Sequence, residues 1–235
     1  MIKAIVTDIE GTTSSLSFVK EVLFPYSRQH VADFVRGHAA QPDVKKILTD
    51  AEQLLGKKTD IDGLIDQFIS WIDLDQKITP LKSLQGLIWE HGYQTGDFKG
   101  HLYEDAHQCL TAWKELGISL YVYSSGSVYA QKLLFGHTEY GDLTALFSGY
   151  FDTQIGGKKE RDSYLAIADQ IGLPAIDILF LSDIKEELDA AKAAGYKTTW
   201  LIRDGDADPD SDHLIARDFF EIKLPDYFEP SANLI

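Results

Sequence analysis

Residues 2–13 read Ile2-Lys3-Ala4-Ile5-Val6-Thr7-Asp8-Ile9-Glu10-Gly11-Thr12-Thr13. The stretch from Ile2 to Thr7 is short, rich in β-branched residues, and stops at an acid. A compact apolar run of this kind marks a strand buried on both faces, as in the middle of a parallel sheet. Three later segments repeat the pattern. Ile118 to Tyr123 runs into Ser124-Ser125-Gly126-Ser127, Ile178 to Leu181 into Ser182-Asp183, and Thr198 to Ile202 into Arg203-Asp204-Gly205. Between these strands, helical spacing predicts helices over Glu104 to Leu116, Val128 to Phe135, Tyr164 to Ile171 and Glu186 to Ala194. Alternating strand and helix predicts an α/β fold with a doubly wound parallel sheet. Ligands bind such sheets beyond the carboxyl ends of the strands, where Asp8, Ser124, Ser125 and Asp183 all fall.

More than a hundred residues separate the first strand from the next clear one, far more than a crossover needs. The interval reads as helices: Val19 to Leu23, Arg28 to Gly37, Val44 to Leu55, Ile61 to Ile72 and Leu81 to Glu90, punctuated by Pro25, Pro42 and Pro80. The expected organisation is a core of residues 1–17 plus 96–235, with a helical cap of residues 18–95 inserted after the first strand. Such a cap serves as a lid that excludes water and selects substrate, or as a decoration that adds stability.

The chain has 235 residues, 44% hydrophobic and 25% charged, enough apolar mass for a real core. Its 22 basic and 37 acidic residues give a formal net charge of −15. An acidic surface repels phosphate backbones and anionic lipids, so neither nucleic acid nor membrane is an expected partner. An anionic small molecule would need a local positive charge or a metal ion to enter. The single cysteine, Cys109, allows neither an intrachain disulfide nor a cysteine zinc site, and reads as a small buried hydrophobe. The apolar N-terminal run is too short for a signal peptide, so a reducing, cytoplasmic setting is expected.

Four clusters could carry chemistry. In Asp8-Ile9-Glu10-Gly11-Thr12-Thr13, one carboxylate can attack phosphorus while the other handles a proton, and paired acids also bind a hard cation. A turn with solvated charges is the plainer account. Ser124-Ser125-Gly126-Ser127 offers hydroxyls and N–H groups to an anion, or simply caps a helix. Gly156-Gly157-Lys158-Lys159 can place one ammonium in a cleft, or leave both lysines in solvent. Asp183 could complete a cation's oxygen shell, whereas Glu186 and Glu187 read as acids favoured by a helix N-terminus. The order outweighs the pieces: acid pair, hydroxyl nest, lysine and acid at successive strand ends suffice for metal-assisted phosphoryl transfer. Seven histidines show no metal-ligand spacing, and His137 reads as structural.

Together these motifs resemble the haloacid dehalogenase superfamily of Mg2+-dependent phosphatases, and more closely its enolase-phosphatases of methionine salvage. The stretches that carry the closer likeness are Asp8 to Thr13, Phe24-Pro25-Tyr26, Leu84-Gln85-Gly86, Tyr123 to Ser127, Gln131 to His137, Phe151-Asp152-Thr153, Lys158 with Ser163-Tyr164, and Phe180 to Asp183. The resemblance implies a small phosphorylated diketone as substrate. The diketone, 2,3-diketo-5-methylthiopentyl-1-phosphate, is enolised and then hydrolysed to 1,2-dihydroxy-3-keto-5-methylthiopentene, an acireductone, and phosphate. It implies Asp8 as nucleophile through an aspartyl-phosphate, one Mg2+ per subunit held at Asp8, Glu10 and Asp183, and phosphate held by Ser124, Ser125 and Lys158. Most of the superfamily carries aspartate where this chain has Glu10, a glutamate the enolase-phosphatases share. Lys158 is preferred to Lys159 on its spacing to Ser163-Tyr164. Glu10 is expected to move the enolisation proton and the chain to be a monomer; Phe18, Phe24 and Trp89 are candidates to meet the methylthio tail, with core packing the plainer account of each. A superfamily phosphatase for another metabolite, or an acidic regulatory module on the same fold, are the alternatives.

Overall fold

The structure, a computed structural model, describes residues 1–206, 208 and 211–224. The chain divides into two compact units, Met1–Leu16 with Gly100–Ile235, and Ser17–Lys99.

In the first unit, β1 (Ala4–Thr7) is the centre of a parallel sheet. Within Ser17–Lys99, a wide helical turn over Phe18–Leu23 leads into α1 (Phe24–His38), followed by α2 (Pro42–Leu55), α3 (Ile61–Asp73) and α4 (Thr79–Thr95). Pro25, Pro42 and Pro80 stand in the first turns of α1, α2 and α4, where a missing N–H costs nothing. The unit has a core of its own, with Val31, Val35, Val44, Leu64, Phe68 and Leu84 buried together. The aromatic candidates for a methylthio contact pack within this unit. Phe24 stacks on Trp89 at 6.4 Å and Phe18 sits edge-on to Phe98 at 6.4 Å.

The chain then returns as α5 (Glu104–Glu115), β2 (Ser119–Tyr123), α6 (Val128–Gly136), β3 (Phe147–Phe151), α7 (Arg161–Ile171), β4 (Ile178–Ser182), α8 (Lys185–Ala193), β5 (Lys197–Leu201) and β6 (Leu214–Ala216). The strand order is β3-β2-β1-β4-β5-β6, with all described pairings parallel. Ala4 to Thr7 register with Ser119 to Val122 on one side and Ile178 to Leu181 on the other. The chain therefore winds outward from β1 through β2 to β3 and then crosses back to β4 on the other side of β1, and the crevice at that reversal lies beyond Thr7, Tyr123 and Ser182. Val6, Tyr123, Tyr164, Phe180, Leu188 and Tyr196 fill one face of the sheet. Each such side chain contributes about 1.5–3 kcal/mol by leaving water.

Two strands were not expected from sequence. β3 reads Phe-Ser-Gly-Tyr-Phe and lies at one edge of the sheet, and β6 spans three residues at the other. Cys109 is half-buried on α5, and burial pushes its thiol up to about 11, as suits an inert thiol. Among the described residues no helix is long and apolar enough to cross a membrane. The acidic C-terminal stretch, for which the sequence offers no function, lies outside the described residues from position 225 onward.

Candidate active site

Asp8 is the first residue past β1, and its N–H still donates to the Leu181 carbonyl of β4 at 2.9 Å. Its side chain is buried, and Oδ1 accepts from the Ile9 N–H at 2.8 Å and from Lys158 Nζ at 2.6 Å. The Lys158 side chain is only 6% exposed and also lies 2.8 Å from Glu187 Oε2, which accepts from the Ser182 hydroxyl at 2.9 Å. Burial alone would pull the ammonium down, but the charges and hydrogen bonds of Asp8 and Glu187 outweigh it and hold Lys158 above the ordinary lysine range. Its backbone is also fixed, because the buried Tyr164 hydroxyl donates to the Lys158 carbonyl at 2.6 Å and the Tyr123 hydroxyl to the Gly156 carbonyl at 3.0 Å. Lys159 points elsewhere, exposed and 3.7 Å from the exposed Glu186.

Glu10 accepts from the Ser124 hydroxyl at 3.3 Å. Burial, then the charge of Asp8, raises its carboxyl above the usual range. Asp183 follows β4 and is pushed up to about 7, first by burial and then by the charge of Asp8. Gly11 makes room for it: at φ +75° its backbone turns sharply, and a Cβ there would lie 2.2 Å from Asp183 Oδ2.

The loop after β2 is held from two sides. Asp152, at the end of β3, accepts from the Val128 N–H that opens α6, at 3.1 Å, and Ser127 caps the same helix by accepting from Ala130 at 3.2 Å. Gln131 Nε2 donates to the carbonyls of Gly126 and Phe151, each at 2.8 Å. Ser124 is buried behind this loop and Ser125 is exposed on it. His137 Nδ1 lies 3.0 Å from the Leu133 carbonyl one turn back on α6, and its own carbonyl accepts from the Gly100 N–H at 2.8 Å.

The sequence reading missed Glu187, taking it for a helix-terminus acid. It stands in the first turn of α8, four residues after Asp183 and close behind the end of β4, and that proximity to a strand end was the available signal. Asp8 and Glu187 thus flank one ammonium, and Glu10 and Asp183 feel its charge and that of Asp8. Among the described residues no three His, Cys, Asp or Glu side chains converge as a complete metal-ligand set. The donors offered are hard oxygens, the negative charge is in excess, and Gly11 lets the Asp183 carboxylate come up against the turn that follows Asp8, so the residues fit a small divalent cation such as Mg2+.

A doubly wound sheet carrying a buried carboxylate–lysine pair at its reversal point defines a hydrolase class that the comparisons identify. A family model described as haloacid dehalogenase-like hydrolase matches residues 2–195. Enolase-phosphatase E1 of Methylococcus capsulatus is 60% identical over 224 residues, covering 95% of this chain and 98% of that protein. The Aquifex aeolicus protein of the same name is 50% identical over 224 residues, covering 95% of this chain and 100% of its own. Among solved structures, the UTR4 protein of Saccharomyces cerevisiae superposes with a TM-score of 0.81 at 33% identity, covering 94% of this chain and 100% of that one. A HAD phosphatase from Thermococcus onnurineus, at 18% identity and a TM-score of 0.60, shares the fold. The chain belongs to the enolase-phosphatase E1 family of haloacid dehalogenase-like hydrolases.

Proposed function

We propose that this protein enolises 2,3-diketo-5-methylthiopentyl-1-phosphate and hydrolyses the enol phosphate to the acireductone 1,2-dihydroxy-3-keto-5-methylthiopentene and phosphate, in methionine salvage. The observation that carries the reading is the buried Asp8–Lys158 pair at 2.6 Å, with Ser124 and Asp183 on the neighbouring strand ends, in a chain half or more identical to proteins named enolase-phosphatase E1.

Asp8 attacks phosphorus, the P–O bond to the enol oxygen breaks, and an aspartyl-phosphate forms that water then hydrolyses. Lys158 offsets the negative charge of both the nucleophile and the phosphoryl oxygens. Ser124 and Ser125 orient the phosphate. Glu10, kept proton-hungry by burial, takes the C1 proton during enolisation as the C2 oxygen gains one, and then gives a proton to the leaving C1 oxygen, regained when water hydrolyses the aspartyl-phosphate. The carboxylates of Asp8 and Asp183 with the Glu10 carbonyl would hold Mg2+. When bound, it supplies the positive charge that lets a carboxylate approach a phosphate dianion, a repulsion of about 8 kcal/mol at ~4 Å and an effective dielectric of ~20. A monomeric, cytoplasmic enzyme is part of the same reading, and light scattering on the purified protein tests the oligomeric state.

The deciding experiment incubates purified protein with the diketone phosphate. Acireductone absorbance should rise together with phosphate release, only with Mg2+ present, and disappear in Asp8→Asn. Phosphate release from other phosphomonoesters but none from the diketone would favour a different superfamily phosphatase. A Glu10→Ala variant that enolises at full rate while losing hydrolysis would remove Glu10 from the proton-transfer role.

A further inference from the structure

Arg203 stands where β5 ends, and nothing above uses it. Its side chain is 12% exposed, and its guanidinium is engaged on every side. Nε and Nη2 both donate to the Thr12 carbonyl, at 3.0 and 2.7 Å. Nη1 and Nη2 grip the two oxygens of Asp105, at 3.1 and 2.9 Å. The flat face lies 3.7 Å over the Tyr103 ring. Asp105 is itself held, since Oδ2 accepts from the Phe219 N–H at 2.8 Å.

The carbonyl so gripped belongs to the turn that leaves Asp8. That turn is otherwise closed on itself: Gly11 N–H donates to Ser14 at 2.8 Å, Thr12 N–H to Ile9 at 3.1 Å and Ser14 N–H to Ile9 at 2.9 Å. Thr13 connects it back to the nucleophile, its hydroxyl donating to the Asp8 carbonyl at 3.2 Å, while the Tyr103 N–H takes the Thr13 carbonyl at 3.0 Å. An arginine needed only to join the end of β5 to α5 would be satisfied by Asp105. Two further N–H groups spent on one peptide carbonyl tie it to the nucleophile's turn. Only a planar fork can do this while gripping a carboxylate and stacking on a ring, and a lysine cannot.

We propose that Arg203 is a positioning residue for the phosphoryl-transfer reaction. By fixing the Thr12 carbonyl it sets the turn from Ile9 to Ser14, and through it the placement of Asp8 and of the Glu10 carbonyl. The inference rests on the role given to Asp8 above. Arg203 touches no reacting atom, and its effect is geometric.

The test compares Arg203→Lys and Arg203→Ala with wild type and Asp8→Asn, following phosphate release from the diketone phosphate and from an aryl phosphate. Small misplacements of reacting groups cost up to about 100-fold in rate, so Arg203→Lys should lose about 10- to 100-fold in kcat with KM little changed. Its half-saturating Mg2+ should rise, because the Glu10 carbonyl shifts. Added methylguanidinium should restore part of the kcat of Arg203→Ala, which a purely structural role would not provide. If Arg203→Ala does not fold, Arg203→Lys alone carries the test. Wild-type kcat and Mg2+ dependence in a folded Arg203→Lys, with Asp8→Asn inactive, overturns the proposal alone. Full turnover by Asp8→Asn overturns the reading of Asp8 and this proposal with it.

Discussion

Gly11 carries two constraints at one position. Its φ of +75° disfavours any side chain, and the space a Cβ would need is filled by Asp183 Oδ2. Gly11→Ala should therefore displace Asp183 as well as strain the turn, the strain alone costing about 1–3 kcal/mol. The expected result is a loss of kcat/KM of about 100-fold with a raised Mg2+ requirement, read by titrating Mg2+ against phosphate release. Lys158 makes a second case. Lys158→Met leaves the buried Asp8 and Glu187 facing each other without their countercharge. Breaking a buried pair in this way costs about 3–5 kcal/mol, measurable by urea unfolding, and the rate should fall by about 1,000-fold. The need for a sharp turn at Gly11 was legible in the sequence, as was an acid at the end of β4. Their contact was not, because 172 residues separate them and only the pairing of β1 with β4 brings them together.

Elements were legible where periodicity and punctuation agreed. The helices from α1 to α8 show apolar spacing bounded by prolines, glycines or caps, and each lies within a few residues of its expected position. β3 escaped notice because Ser148 and Gly149 interrupt its apolar run, which an edge strand tolerates, and β6 is too short to show a pattern. Docking between elements was invisible to the sequence. Gly100 passes α6 so closely that a Cβ would lie 2.3 Å from the Leu134 carbonyl oxygen. Backbone cannot move aside as a flexible side chain can, so Gly100→Ala should cost about 1–3 kcal/mol, seen as a lower denaturant midpoint. By contrast, Asp60→Ala removes only the N-cap of α3, a 2.9 Å bond from the Gly63 N–H, and should cost about 1 kcal/mol.

Across the whole molecule, charge links stability to the active site. Burial and the charge of Asp8 push the Asp183 carboxyl up to about 7 in the folded protein, against an ordinary value of 3.8. Between those values the native state holds a proton that the unfolded state has lost, so this group's contribution to stability falls as pH rises from about 4 to 7. With divalent ions chelated, the melting temperature contribution should thus be less favourable at pH 8 than at pH 5.5, and Asp183→Asn should shrink the difference. Adding Mg2+ should stabilise the protein more at pH 8 than at pH 5.5, because at low pH the ion must displace protons, and calorimetric melts in both buffers check this. An equal Mg2+ effect at both values would mean that Asp183 does not share the cation site. By itself the sequence determined the sheet class, the strand ends on which the candidate residues stand and the order in which they occur, since burial pattern and chain punctuation are local properties. Tertiary structure alone decided that Glu187 joins Lys158 and Asp8, and that Arg203 grips the turn after β1. Those are distances between groups far apart along the chain, and strand register and helix packing set them.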